Sequence, residues 1–346
     1  MKAKDLAHKL GVSTATISLV LNGKPGISDK TRTRIIKQIQ DLGYGHLIQN
    51  ASSSPIETNA PKTQSLGFVL FKNSGHLLGM NSFFPLILAD IEATARSYGY
   101  NLIVINIEKY ELESQIQYIA DSGCSGYVIF ATELQQEDLL HFKNLKIPFV
   151  LFDNYFIDES INSVKVNNMQ GTYLAVKELA CLGHKKIGYL SSGLPIRSFI
   201  ERKSSALDAI RHFDLENPEP YCFTIGYPIE NAVAGMNKLL SEIPAKKLPT
   251  AFLADNDLVS AGALKALKTN GFQIPDDISL IGFDNRPICT LVEPSLTTIE
   301  LPRDTFGAEA VEQLIRLLRN ELKSITKTEI NGRLIRRESS GPAHRI

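Results

Sequence analysis

Short apolar segments alternate with amphipathic segments of helical length from Ser65 onward, and this alternation constrains the fold more than any other feature. The apolar segments have the length and residue types of β-strands, and they read SLGFVLF, NLIVINI, GYVIF, PFVLFD, KKIGYL, TAFLAD and SLIGFD. Strands that alternate with helices indicate parallel sheets covered on both faces. About ten strands are too many for one compact lobe, so we expect an α/β fold with two doubly wound parallel-sheet lobes.

The first forty-five residues differ in character, and their pattern predicts three short helices. The first helix ends at Gly11, the second has Ser13 as its N-cap, and the third begins at Ser28. The tight turn after the first helix is typical of a helix-turn-helix, whose second helix enters the major groove of DNA. We therefore predict an all-α helix-turn-helix DNA-binding domain over residues 1–45. The outward residues of its second helix are Thr14, Ala15, Ser18 and Leu19.

The charge of the chain is unevenly distributed and supports a nucleic-acid partner for this segment. Residues 1–46 hold 8 Lys and Arg against 3 Asp and Glu, whereas the rest of the chain holds 29 against 34. A basic segment on an acidic body favours contact with a polyanion. A three-helix module that binds another protein is the alternative.

The segment KDLAHKLGVSTATISLVLNGKPGISDKTRTRIIKQIQDLGY is similar, almost position by position, to the DNA-binding head of the lactose/galactose-repressor family. The resemblance implies that Thr14 and Ala15 face bases, and that Ser13, Thr16 and Asn22 help to hold phosphates. Leu19 stands where the family usually has a long polar residue, often Arg. Leucine cannot bind guanine through two hydrogen bonds but can contact a thymine methyl, so we expect an unusual operator preference. The alternative is that Leu19 only packs.

Residues 46–64, HLIQNASSSPIETNAPKTQ, form a polar stretch with two prolines, which predicts a flexible tether. In the family this stretch usually forms a hinge helix whose Arg and Leu are wedged into the minor groove, an arrangement that bends DNA. Here Ala51 and Ser53 stand at those two positions, and Leu47 and Ile48 are the alternative wedge.

The resemblance to the family continues over the large domain, residues 65–346. It is carried by VNNMQGTYLAVKELACLGHKKIGYL, by PTAFLADNDLVSAGALKALKTNGFQIPDDISLIGFDN, by PSLTTIELP and by RLIRRESS. It implies a fold like that of periplasmic binding proteins, with three crossovers between the lobes. We expect the crossovers near residues 155–162, 285–293 and 320–325. The corresponding N-lobe comprises about residues 65–157 and 292–322, and the C-lobe comprises about residues 158–291 and 323–346.

Polar residues at strand ends are the candidate ligand contacts, because ligands of such folds bind at the carboxyl ends of the strands. Asp153, Asn256 and Asp284 each follow a strand, and Arg202 begins a helix after another. Carboxylates and a guanidinium group suit a ligand with many hydroxyls, and the family binds its effectors at the matching positions. Asp257 has the simpler role of a helix N-cap. Weaker candidates for the pocket wall are Phe71, Asn73, Phe84 and Phe130.

Other classes of function find less support in the sequence. It contains no dinucleotide fingerprint, P-loop, nucleophile elbow or zinc-protease motif, so we expect no enzyme, no catalytic residue and no cofactor. His184 is the most tempting catalytic histidine, but we expect it to end a helix in its positive form. The four scattered cysteines match no metal site, and we expect three of them to be buried thiols.

A secreted solute-binding protein is the second rival, which the large domain alone would suggest. The N-terminus lacks a signal peptide and no apolar run is long enough to cross a bilayer, so we expect a cytoplasmic protein without a membrane partner. The sequence predicts a transcriptional regulator, and a repressor is the type that we expect. It would bind a pseudo-palindromic operator as a homodimer, under the control of a small molecule, a sugar by family expectation.

Overall fold

The structure is a computed structural model that describes residues 3–21, 26–42, 64–74 and 85–343. The chain divides into two compact units, residues 1–62 and residues 63–346.

The first unit contains three helices in its described part: α1 (Ala3–Leu10), α2 (Thr14–Leu21) and α3 (Asp29–Asp41). Apolar residues at helical spacing form its core, namely Leu6, Ala7, Ile17, Val20, Ile35 and Ile39. The predicted N-caps lie at the starts of α2 and α3. The Ser13 hydroxyl accepts a hydrogen bond from the amide of Thr16 at 3.0 Å, and that of Ser28 accepts one from Thr31 at 3.3 Å.

The second unit is built from strands that alternate with helices. Its strands are β1 (Gln64–Lys72), β2 (Tyr100–Glu108), β3 (Tyr127–Phe130), β4 (Phe149–Phe152), β5 (Ser163–Val166), β6 (Ile187–Ser191), β7 (Cys222–Thr224), β8 (Ala251–Ala254), β9 (Ser279–Asp284), β10 (Thr297–Glu300), β11 (Lys327–Ile330) and β12 (Arg333–Ile335). Its helices are α4 (Pro85–Ser97), α5 (Leu112–Asp121), α6 (Gln136–Asn144), α7 (Asn168–Cys181), α8 (Arg197–His212), α9 (Ile229–Glu242), α10 (Asp257–Thr269), α11 (Ile288–Leu291) and α12 (Arg303–Leu318).

Two sheets confirm the predicted fold class. The first has the order β11-β5-β4-β3-β1-β2 and the second the order β12-β10-β9-β8-β6-β7. The pairs are parallel except β10 with β12, which is antiparallel. Central strands such as β3 and β9 are buried along their whole length, because helices cover both faces of each sheet. The strands of the first sheet define the N-lobe and those of the second the C-lobe.

The predicted lobe boundaries were wrong by several residues at every crossover. β5 and β11 belong to the first sheet and β10 to the second, so the chain changes lobe after Val166, between β10 and α12, and between β11 and β12. The N-lobe therefore extends through Val166 and takes up residues 303–330. The error has a physical cause, since β5 and the edge strand β11 are short and carry no distinctive apolar run.

His184 is a buried structural residue, and the expectation that it acts as a positive helix-terminal group was wrong. Its Nδ1 lies 2.9 Å from the Thr250 hydroxyl, and its Nε2 lies 3.1 Å from the Ser279 hydroxyl and 3.0 Å from the Gly341 carbonyl oxygen. Burial lowers the pKa of this imidazole, which favours the neutral ring. His184 thus ties the carboxyl-terminal segment to β9.

All four cysteines are free, but only Cys124 and Cys289 are buried, so the expectation of three buried thiols was wrong. None of the helices in the described ranges combines the length and apolar character that crossing a bilayer requires.

The replacement His184→Ala is expected to lower the free energy of unfolding of the full-length protein by about 3 kcal/mol, because it removes three buried hydrogen bonds and leaves a cavity. The measurement is denaturant unfolding followed by circular dichroism. His212→Ala, at an exposed position of the same lobe, is the control and should cost less than about 0.5 kcal/mol. Equal losses in the two variants would contradict the structural role of His184.

Candidate functional site

A cleft between the two lobes brings together three of the predicted ligand contacts. Asp153 follows β4 in the N-lobe, Arg202 lies on α8 in the C-lobe, and Asp284 ends β9. The residues that line the cleft are Phe130, Thr132, Asp153, Ile196, Ser198, Phe199, Arg202, Asp284, Arg286 and Leu301. The carboxyl ends of the parallel strands thus face the cleft, as expected for this type of sheet.

The backbone at the cleft adopts conformations that only a constrained site maintains. Asp153 has φ 65°, Asp284 has φ 104° and Asn285 has φ 49°. Non-glycine residues in this region cost on the order of 1–3 kcal/mol each, and such residues cluster at functional sites. These conformations occur at the ends of both β4 and β9, where they direct the Asp153 and Asp284 side chains into the cleft.

Arg202 and Arg286 share one carboxylate in the C-lobe wall. Asp284 Oδ2 accepts hydrogen bonds from Arg286 Nε at 3.0 Å and Nη2 at 2.9 Å, and Arg202 Nη1 lies 3.3 Å from Asp284 Oδ1. Arg202 also donates to Asn168 Oδ1 at 2.9 Å and to the Asp255 carbonyl oxygen at 2.7 Å. Its guanidinium lies 3.7 Å from the centre of the Phe283 ring. Both guanidinium groups are therefore held in fixed positions.

Asp153 is the acidic group of the opposite wall. Its Oδ2 accepts a hydrogen bond of 2.6 Å from the Thr132 hydroxyl. Burial raises the pKa of Asp153 to about 6, although the Thr132 hydrogen bond and the Arg202 charge act to lower it. A carboxyl group with a pKa of about 6 exchanges its proton near neutral pH, so it can either accept or donate a hydrogen bond there.

Asn256 has the N-cap role that the sequence predicted for Asp257, and neither residue lines the cleft. Asn256 is the N-cap of α10, and its Oδ1 accepts hydrogen bonds of 3.1 Å from the amides of Leu258 and Val259. It does not line the described cleft. Asp257 instead receives the Arg286 amide at 2.7 Å and the Thr298 hydroxyl at 2.6 Å, while burial, followed by the Asp284 charge, raises its pKa to about 7.

The predicted aromatic wall is present only in part. Phe130 lines the cleft. Phe71 packs inside the N-lobe core against Phe142, with 6.4 Å between ring centres. Side chains alternate between the two faces along a strand, and Phe71 lies on the face opposite to that of Phe130. The Asn73 side chain is exposed, and the backbone N–H of Asn73 donates to Glu133 Oε2 at 2.6 Å. Phe84 lies outside the described residues.

The sequence reasoning missed several lining residues for which a signal existed. Arg286 lies two residues after Asp284, and Thr132 two residues after the end of β3, so an inspection of residues beyond each strand end would have found them. Ser198 and Phe199 precede Arg202 by four and three residues on α8, and such residues share a helix face.

The cleft is narrow in this structure. Its cavity volume is about 40 Å³, which is enough for a few water molecules but far below the roughly 300–1,000 Å³ of small-molecule sites. A ligand of sugar size therefore requires the lobes to separate or the lining side chains to move.

The helix-turn-helix unit presents a surface of short side chains. Thr14, Ala15 and Ser18 are exposed on α2, as predicted. Leu19 is half-buried instead, and its Cδ1 lies 3.3 Å from the position that a Cβ on Gly26 would occupy. Leu19 is thus only partly exposed and packs against Gly26, whereas its contact with DNA stays a prediction.

The residues expected to hold phosphates lie at the start of α2. The Ser13 hydroxyl caps the helix and lies 2.8 Å from the Thr16 hydroxyl, so these two groups already bond each other. Arg32 on α3 donates to the Leu19 carbonyl oxygen at 3.1 Å, which fixes the end of α2. Asn22 lies outside the described residues, as does the predicted tether except Gln64, which begins β1.

Family models match both units of the chain. The model described as bacterial regulatory proteins, lacI family, matches residues 2–45. The model described as a periplasmic binding protein-like domain matches residues 176–340.

Curated relatives align over nearly the whole chain. The HTH-type transcriptional repressor PurR of Mannheimia succiniciproducens is 27% identical over 97% of each chain. The ribose operon repressor of Haemophilus influenzae is 25% identical over the same shares.

Solved structures share the fold at lower identity. The lac repressor dimer bound to operator and the anti-inducer ONPF has a TM-score of 0.71 at 23% identity, covering 99% of each chain. The transcriptional regulator CelR in complex with cellobiose has a TM-score of 0.71 at 21% identity, covering 98% of this chain and 99% of that one.

A helix-turn-helix unit joined to a two-lobed periplasmic-binding-protein-like domain defines a DNA-binding transcriptional regulator. The DNA-binding unit of the chain belongs to the lacI family of bacterial regulatory proteins. This family consists of regulators rather than enzymes, in agreement with the prediction made from the sequence.

The Asp153 carboxyl of the ligand-free protein is expected to titrate with a midpoint near pH 6. Carbon-13 NMR of aspartate-labelled protein measures this, with Asp153→Asn to assign the signal. Arg202→Met should raise the midpoint, because it removes a nearby positive charge. Arg211→Met, at an exposed position of α8, should leave it unchanged. A midpoint near pH 4 would mean that water already fills the cleft.

Proposed function

We propose that this chain is a repressor whose operator binding is controlled by a neutral sugar bound in the cleft between its lobes. The observation that carries the proposal is the convergence of Asp153, Arg202, Asp284 and Arg286 on one cleft. Two carboxylates and two guanidinium groups form a site of balanced charge. Such a site suits an uncharged ligand, whereas a phosphate would need an excess of positive charge.

The polar groups match the hydrogen-bonding pattern of sugar hydroxyls. A hydroxyl donates to a carboxylate and accepts from a guanidinium, so neighbouring hydroxyls are held by Asp153 on one wall and by Arg202 or Arg286 on the other. Phe130 and Phe199 supply apolar surface against which the C–H groups of the sugar ring can pack. Sugar ligands also appear in the names of similar proteins, one bound to cellobiose and one called the ribose operon repressor.

The remaining parts of the proposal concern DNA and assembly. A homodimer would place two helix-turn-helix units on a pseudo-palindromic operator. The protein would then act in the cytoplasm, where the operator DNA lies. The N-lobe offers apolar surface for a dimer face. Val104 on the edge strand β2 and Tyr98 after α4 are 40% and 39% exposed.

The effector class is tested by isothermal titration of the full-length protein with D-ribose, cellobiose and a panel of other neutral pentoses, hexoses and disaccharides. Asp153→Asn is expected to weaken the best sugar at least tenfold, since a charged hydrogen bond is worth about 1.5–3 kcal/mol. Asp208→Asn, an exposed position of α8, is the control. Binding of a nucleobase instead, stacked between the phenylalanines, would contradict the sugar proposal.

Sugar affinity is also expected to depend on pH through Asp153. The ionised carboxylate accepts the sugar hydroxyl, so protonation competes with binding as the pH falls through about 6. The affinity should drop about tenfold between pH 7 and pH 5 and stay constant above pH 7. In Asp153→Asn this dependence should vanish. A slope of the same size in that variant would mean that another group titrates.

The DNA-reading residues are tested by selection of operators from random duplexes at near-physiological salt. We expect a two-fold symmetric site for the natural protein and a changed base preference at one symmetric pair of positions in Thr14→Ala. Leu19→Ala should keep the preference, because Leu19 packs on Gly26. A change of preference in Leu19→Ala alone would return Leu19 to the DNA surface.

A further inference from the structure

Beside the cleft, two residues of the N-lobe meet two residues of the C-lobe. Lys165 on β5 lies 3.0 Å from Glu201 Oε2 on α8, and Arg197 Nη2 on α8 donates to the Tyr155 hydroxyl at 3.2 Å. We call Tyr155, Lys165, Arg197 and Glu201 the interlobe latch.

The latch is a set of specific interactions rather than a loose surface pair. The Lys165 and Glu201 side chains are only 11% and 18% exposed. The Tyr155 ring lies beneath both cations, 4.3 Å from Lys165 Nζ and 4.8 Å from the Arg197 guanidinium carbon. Pairs that are shielded from water in this way are stronger than exposed ion pairs and are less weakened by salt.

Each side of the latch is also anchored within its own lobe. Lys165 pairs with Glu329 on the neighbouring strand β11 at 3.0 Å, and Glu201 accepts a hydrogen bond from Asn168 at 2.9 Å. Burial acts to lower the pKa of Lys165 and to raise that of Glu201, but their opposite charges outweigh it in both cases. Both groups therefore remain ionised, and the contact across the cleft is preorganised.

The position of the latch couples it to the cleft. Tyr155 lies two residues after Asp153, and Glu201 immediately precedes Arg202, so the same two elements carry the latch and the cleft walls. If α8 moves away from β5 and from the segment after β4, the distances that join Glu201 to Lys165 and Arg197 to Tyr155 both increase. A separation of the lobes that enlarges the cavity of about 40 Å³ therefore breaks the latch, whereas a movement of the lining side chains alone leaves it intact.

We propose that the interlobe latch holds the cleft shut at the narrow width seen here, so that a ligand enters only when the latch opens. The latch then sets the fraction of molecules that can accept a ligand, and this fraction scales the apparent affinity. The inference rests on the proposed function only in assigning ligand binding to this cleft. The closure itself can be measured without any ligand.

The test measures how often the cleft opens in the full-length, ligand-free protein. Ser198→Cys places a thiol in the cleft, at a position that is 6% exposed. The rate at which N-ethylmaleimide modifies this thiol is followed by peptide mass spectrometry, with exposed Cys181 as the internal reference. A second substitution in this background then alters the latch.

Glu201→Gln removes the charge of the latch and keeps its shape. It is expected to raise the modification rate about tenfold, because the loss of a partly buried ion pair costs more than that of an exposed pair and less than that of a fully buried one. Tyr155→Phe removes only the phenolic hydroxyl, and should raise the rate about threefold. The matched control is Glu309→Gln. Glu309 is 24% exposed and pairs with Arg316 inside the N-lobe, at 2.7 Å, so the loss of its charge should leave the rate unchanged.

Rates in Glu201→Gln and Tyr155→Phe that equal the control rate would overturn the latch, whatever sugar the protein binds. Circular dichroism spectra and melting temperatures of all variants separate opening of the cleft from unfolding. A faster reaction at Cys181 as well as at the cleft thiol would indicate general loosening and would also count against the latch. Conversely, failure of every sugar to bind would affect the proposed function and leave the rate comparison intact.

Discussion

The Arg202 guanidinium is buried where four parts of the C-lobe meet, and the geometry of the cleft depends on its bonds. It reaches Asn168 at the start of α7, the carbonyl of Asp255 after β8, and Asp284 at the end of β9, and it stacks on Phe283. A buried guanidinium is tolerated only when its donors are satisfied. The same requirement fixes the relative positions of the strand ends that form the cleft wall.

This arrangement joins the binding site to the conformation of the domain. Asp284 is shared between Arg202 and Arg286, while Asp153 faces them from the N-lobe with a pKa raised to about 6 by burial. In the proposed function, the hydroxyls of a ligand would add hydrogen bonds that join these groups across the cleft. Closure by the latch and binding in the cleft thus act on the same pair of elements, α8 and the segment after β4.

Much of the architecture followed from periodicity, whereas boundaries and individual roles did not. The alternation of strands and helices predicted two doubly wound lobes, since burial on both faces requires continuous apolar strands. The short strands β5 and β11 lack such runs, and their pairing joins segments more than 150 residues apart, so their lobe was assigned wrongly. Local sequence carries no record of which sheet receives them.

The candidate site shows the same division. Asp153, Arg202 and Asp284 were found because strand ends converge in this fold. The N-cap role of Asn256, predicted for Asp257, depends on backbone direction after β8, and the packing of Leu19 depends on its proximity to Gly26, seven residues further along the chain. Such contacts are three-dimensional, and neighbouring polar residues of similar chemistry do not reveal them. The electrostatic consequences, such as the raised pKa of Asp153, likewise require the burial that only the fold supplies.

The central claim is that the cleft and the DNA-binding surface belong to one coupled system, and thermodynamic linkage tests it most directly. The affinity of the full-length protein for its selected operator is measured with and without the bound sugar, and the sugar affinity with and without operator. Coupling requires both ratios to be the same factor, typically about 5–150-fold. We expect equal factors within this range, with weaker operator binding when sugar is present. If both ratios equal one, the account is contradicted, because the sugar then binds without any effect on operator binding.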